Sequence, residues 1–118
     1  MQKDLTIKEI VEFMTLDLTD NQKFKRNVAF YIVSNANILR PHFEAFESQR
    51  KSMLEKYGRA GENGDIIIPQ ENVKSFTEEM KQLLDSKVTV TLSTIQLDDL
   101  PEEMDISTMR KLMLMIGK

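Results

Sequence analysis

The 118 residues contain no cysteine. That excludes disulfides, thiolate catalysis and zinc sites built on thiolates, and it sets a cytoplasm as the expected compartment. No apolar run approaches the ~18 residues that a spanning helix needs, so no membrane segment is expected. Met1-Gln2-Lys3-Asp4 leads into an amphipathic stretch with Glu9 and Glu12. It has no apolar h-region, so no secretory signal is expected. Histidine occurs once, at His42, and the residues at helical spacing from it supply no carboxylate on its face. It therefore lacks a partner for acid–base or metal chemistry. Gly61-Glu62-Asn63-Gly64 is not a phosphate loop: it lacks the Lys-Ser/Thr pair and precedes a strand rather than a helix. Nucleophile-elbow, zincin and dinucleotide fingerprints are missing as well. With no nucleophile–base pair or metal set to assemble, neither an enzyme nor a cofactor or metal is expected.

What is present is ordinary in amount and uneven in placement. Charged residues make up 30% and apolar residues 41%, the composition of a single globular domain spanning 1–118. The formal net charge is −3. Residues 1–60 carry ten Lys/Arg against eight Asp/Glu, and residues 61–118 carry six against eleven. An acidic chain is poorly suited to neutralising many phosphates, so nucleic acid is not an expected partner. The asymmetry suits solubility, contact between copies, or docking on a basic protein.

The dominant signal is one long helix over about 20–57. Phe24, Val28, Ile32, Ala36, Leu39, Phe43, Phe46, Met53 and Tyr57 recur at mostly helical steps. Thr19 or Asp20 is placed to cap its start, and Gly58 to end it in a left-handed residue. Thirty-eight residues make a rod of about 57 Å. The run Val28 to Val33 is apolar all round and marks the expected centre of the core. Pro41 cannot donate to the carbonyl of Asn37, which predicts a kink, or alternatively a break with Ser34–Asn37 as the weak point. Glu47–Lys51 and Glu55–Arg59 have the favourable order for helical ion pairs.

Around this rod the chain reads as follows. Thr6-Ile7-Lys8-Glu9 is a capping box opening a helix from 6 to about 15. The Gly58–Asp65 stretch is turn-rich, and Ile66–Ile68 before Pro69 suits an edge strand. A helix over 72–84 presents Val73, Phe76, Met80, Leu83 and Leu84. Val88, Val90 and Leu92 alternate with Thr89 and Thr91 as a half-buried strand, with a bulge or bend at Ser93-Thr94. A last helix, capped by Asp105 or Ser107, carries Met109, Leu112, Met113 and Ile116. The fold class is α+β and mostly helical: a long kinked helix, three shorter helices, and a small antiparallel sheet from 66–68 and 88–97.

One order of features spans roughly residues 6–116. The long helix ends in Glu55-Lys56-Tyr57-Gly58, followed by Glu62-Asn63-Gly64 and a short strand. A helix with Phe76, Glu78, Glu79, Leu83 and Leu84 comes next. Val88-Thr89-Val90 follows, with Ile95, Leu97 and Leu100, and then a helix opening with Ile106-Ser107. This pattern resembles an uncharacterised family of small proteins encoded by tailed phages and prophages. The resemblance implies a phage origin and action in the cytoplasm of the bacterial host or in the virion. It brings no catalytic residues with it.

Three sets of residues are candidates for binding. Lys23, Lys25 and Arg26, with Tyr31 and Arg40, form either a solvated helix start or a site for a phosphorylated ligand. Asp98, Asp99, Glu102 and Glu103, with Asp105, form either a solvated acidic loop or a dock for a basic protein. They lack EF-hand spacing. Phe43, Phe46, Met53 and Tyr57 form a narrow seam on the distal rod. The shorter helices are each under about 20 Å and cannot cover the whole rod. This predicts a homo-oligomer in which a second copy packs antiparallel on that seam. The competing arrangement folds residues 73–84 back along it. The leading functional expectation is a phage-encoded, non-enzymatic binding protein acting on a host or virion protein. The alternatives are an anti-defence protein sequestering a phosphorylated nucleotide signal, and a structural virion component.

Overall fold

Thr6 opens the first helix in the way its sequence requires. Its Oγ1 accepts from the backbone N–H of Glu9 at 3.2 Å, and Glu9 Oε1 accepts from the N–H of Thr6 at 3.1 Å. The computed structural model describes residues 2–16, 23–62 and 64–117. Element order is β1 (Gln2–Thr6), α1 (Ile7–Met14), α2 (Arg26–Tyr57), β2 (Arg59–Ala60), β3 (Ile66–Ile67), α3 (Gln70–Asp85), β4 (Lys87–Thr91) and α4 (Ile106–Leu112). Short 3-10 turns occupy Leu97–Asp99 and Met113–Met115. The architecture is α+β and mostly helical, built on one long helix.

α2 has 32 residues, or about 48 Å at the helical rise. It accounts for the longest dimension of a molecule measuring 49 × 30 × 21 Å. It starts later than the periodicity predicts, with Lys25 as N-cap; Thr19 and Asp20 lie outside the described residues. It runs unbroken through Pro41, which lies on the exposed side. Only one face of the apolar run at 28–33 is buried: Val28 and Ile32 are in the core, while Phe30 is 67% and Val33 53% exposed. The rest of the fold packs on one side of α2, so the run is not enclosed all round.

The strand pairing also differs from expectation. β4 pairs with β1, antiparallel, with Leu5 opposite Val88 and Lys3 opposite Val90. β3 pairs with β2 in a separate minimal hairpin, Arg59 opposite Ile67. β1 has a single apolar residue, Leu5, and its partner lies some eighty residues away, so no local pattern announces it. On β4 the alternation holds. Val90 and Leu92 are buried, Val88 is half-buried, and Thr89 and Thr91 are exposed. Lys3 shares the inner face with Leu5, and its half-buried ammonium is satisfied by donating to the Leu114 carbonyl at 2.9 Å.

Beyond β4 the backbone at Ser93 is held by Asn35. This side chain is fully buried on α2, in phase with Val28, Ile32 and Leu39. Its Oδ1 accepts from the Ser93 N–H and its Nδ2 donates to the Ser93 carbonyl, both at 2.8 Å. The amide thus imitates a neighbouring strand at the point where β4 has ended. Ile95 then forms a parallel bridge with Ile116. At the C-terminus the 3-10 turn shifts the helical phase. Leu114 and Met115 are buried while Met113 faces solvent, contrary to the simple helical reading. The core gathers Leu5, Ile7, Ile10 and Phe13, the inner face of α2, then Val90, Leu92 and Ile95, and Leu112, Leu114 and Met115.

Two glycines are required in the distal hairpin. Gly58 is extended (φ −98°, ψ 170°) rather than left-handed. A Cβ there would stand 2.5 Å from the Ile66 side chain and from the Leu54 carbonyl, so the close approach selects glycine. Gly64 supplies the positive φ, +81°, that turns the chain between β2 and β3; its neighbour Asn63 lies outside the described residues.

Candidate functional site

α3 folds back along the distal half of α2, realising the hairpin arrangement. Tyr57 meets Phe76 edge-on at 6.3 Å between ring centroids. The Tyr57 hydroxyl donates to Glu79 Oε1 at 2.7 Å, and Lys56 Nζ donates to the same oxygen at 3.1 Å. Asn72 Nδ2 donates to the Tyr57 carbonyl at 2.9 Å, bonding one of the last carbonyls of the helix. The Tyr57 hydroxyl, then the Lys56 ammonium, hold the Glu79 carboxyl below its ordinary range. Tyr57 and then Glu79 hold Lys56 above its ordinary value of 10.5.

These contacts change the standing of the seam residues. Phe46 is buried and Phe43, Met53 and Tyr57 are half-buried within the same chain. The uncovered stripe that motivates self-association through this seam is therefore occupied by α3. The expected ion pairs shift as well. Glu47 pairs with Arg50 at 3.0 Å. Arg59 lies beyond the helix in β2, out of step with Glu55, and reaches Glu71 at 3.5 Å.

α3 itself buries none of its residues. Its apolar stripe is wider than α2 can cover, and Val73 remains 45% exposed. The uncovered part borders α1 and forms a groove of ≈ 460 Å³. Phe76, Met80 and Leu84 line it, and Lys8, Lys81 and Asp85 contribute charged groups. Apolar lining with a few polar groups, at a volume inside the usual range of roughly 300–1,000 Å³, is the make-up of a binding cleft. On the other side of α3 a second groove, ≈ 500 Å³, is walled largely by Ser48, Gln49, Ser52, Gln82 and Ser86. The helical spacing of Phe76, Met80 and Leu84 is visible in the sequence. That one side of the stripe stays open is not, because it depends on how α1 and α2 straddle it.

The basic candidates are not brought together. Lys23, Lys25 and Arg26 are exposed at the start of α2. Arg40 lies 14 residues further along, about 21 Å by the helical rise. It donates to Asn37 Oδ1 at 2.9 Å. Tyr31 is half-buried against Phe30, with ring centroids 6.0 Å apart. One phosphate cannot engage both ends of this set within one chain. In the acidic segment, Asp99 is a cap: its Oδ2 accepts from the Gln96 N–H at 3.0 Å and closes the 3-10 turn. Asp98, Glu102 and Glu103 are exposed. Among the described residues no three His, Asp or Glu side chains stand close enough to hold a metal ion. No described helix is long and apolar enough to cross a membrane. No family model, curated protein or solved structure matches the chain.

Proposed function

We propose that this chain is a small, phage-encoded, non-enzymatic binding protein that acts in the bacterial host cytoplasm on a host or virion protein. The groove between α1 and α3 takes an amphipathic helix or short apolar segment of that partner. The observation that carries this reading is the helix that buries none of its own residues while its apolar stripe lines an open cleft. Helix-in-groove recognition needs an apolar floor for affinity and a polar border for orientation. Phe76, Met80 and Leu84 supply the floor, and Lys8, Lys81 and Asp85 the border. The phosphorylated-nucleotide alternative has less support, since its basic residues are spread along the helix.

The test is a pull-down from host lysate with the wild-type chain, with Met80→Glu in the floor, and with Gln49→Ala in the opposite groove as a control. The reading expects a protein retained by wild type and by Gln49→Ala but lost with Met80→Glu, with helical circular dichroism unchanged in both variants. Identical capture by all three contradicts the groove. A nucleotide released on denaturing the purified protein would favour the sequestering alternative.

A further inference from the structure

Six residues on the outer side of α2 form a second seam: Arg26, Phe30, Val33, Asn37, Pro41 and Glu44. The steps between them are three or four residues, so they share one helical stripe. At 100° per residue this stripe points directly away from Val28, Ile32, Asn35 and Leu39, the face buried in the core. All six are exposed. Phe30 and Val33 are among the most exposed large apolar side chains on this helix. No described element packs on this side.

We infer that this outer seam is an antiparallel, two-fold interface with a second copy of the chain. Charge placement selects that occupant. Arg26 and Glu44 are 18 residues apart, five whole turns, so they lie at one angle at opposite ends of the apolar stretch. A two-fold axis across the helix at the level of residue 35 sets Arg26 against Glu44 of the second copy, and Glu44 against its Arg26. The same operation sets Val33 against Asn37 of the second copy, and Phe30 against its Arg40–Pro41 turn. A parallel arrangement in register would instead set like charges together at both ends. One operator therefore closes the assembly, covers Phe30 and Val33, and pairs both charges, which is the self-complementarity that an isologous contact requires. The contact is a single pair of helices, smaller than the ~800 Å² per partner of a standard interface, so the dimer should dissociate in the micromolar range. This inference does not depend on the α1–α3 groove, which lies on other elements.

Sedimentation of the full chain at about 5 and about 200 µM tests it. Wild type should move from 13.7 kDa toward twice that mass. Arg26→Glu and Glu44→Arg should each weaken association about tenfold or more, because each converts both end contacts into repulsions. An equimolar mixture of the two variants should restore the dimer, since every end contact is again between opposite charges. Phe30→Glu should give a monomer with unchanged circular dichroism. A monomer at every concentration overturns the inference. So does a dimer that neither charge variant weakens, or a mixture that associates no better than its components.

Discussion

Along its first four turns α2 buries Val28, Ile32, Asn35 and Leu39 against strands, α1 and the C-terminal segment, whereas along its last turns it meets α3, whose apolar residues are at most half-buried. The near end is held by apolar burial and one amide clip. The far end is held by surface polar contacts at Lys56, Tyr57, Asn72, Glu79, Arg59 and Glu71, with Phe46 the one α2 residue buried there. Exposed ion pairs contribute roughly 0–1 kcal/mol each, while a fully buried leucine contributes several-fold more. The two ends should therefore differ in stability although one continuous helix joins them. The far end, with its open groove, should be the first part to open locally.

The comparison is sharpest under core truncation. Leu39→Ala should cost about 2–5 kcal/mol in chemical denaturation, since Leu39 is completely buried. Val90→Asp should cost more than about 2 kcal/mol through an unpaired buried charge. In α3, Leu84→Ala should cost clearly less than Leu39→Ala, because Leu84 is only half-buried. Equal losses at positions 39 and 84 would erase the distinction between the ends.

Next in size is the amide clip. Asn35→Leu keeps the volume but leaves the Ser93 N–H and carbonyl without their partner, for an expected loss of about 1–3 kcal/mol. A variant as stable as wild type would show that water or a shifted loop satisfies Ser93 instead.

The smallest effect should be at Glu79, and it depends on pH. Its carboxyl is held low in the folded state, chiefly by the Tyr57 hydroxyl and then by Lys56. The stabilisation is therefore present above the ordinary value of 4.5 and is lost as pH falls through the folded value. Lys56 is held high, so its share is present below 10.5 and is lost only as pH rises through its folded value. Glu79→Gln should melt slightly below wild type at pH 7, with the gap closing in acid. A gap that persists undiminished once the wild-type carboxyl is protonated would assign it to packing rather than charge.

What the sequence made legible follows from range. The capping box at Thr6 and Glu9 and the alternation at Val88–Leu92 are local patterns and appear where the sequence places them, while α2 ends at Tyr57 as expected but begins at Arg26 rather than near residue 20. β1 was not legible, since Gln2–Thr6 is polar and gains its identity only from pairing with Lys87–Thr91. Asn35 could have been found: it falls in the heptad phase of Val28, Ile32 and Leu39, and a polar residue on that face needs a partner, which the slipped phase at Ser93 supplies. For the distal seam the sequence favours a second copy over the folding back of 73–84, whereas α3 packs along it, an outcome that turns on how the segment after Tyr57 directs the chain. Of the candidate binding residues, the aromatic seam became intramolecular packing and Asp99 a turn cap, while the open side of α3 has no local signature.

Native-state hydrogen exchange, resolved by segment, tests the contrast most directly. The contrast predicts that amides of α3 and of α2 beyond Phe46 open at a lower free energy than those of α1, β4 and α2 over 28–39, and that they do so without global unfolding. Equal protection across both ends of α2, with α3 opening only when the whole chain unfolds, would contradict it.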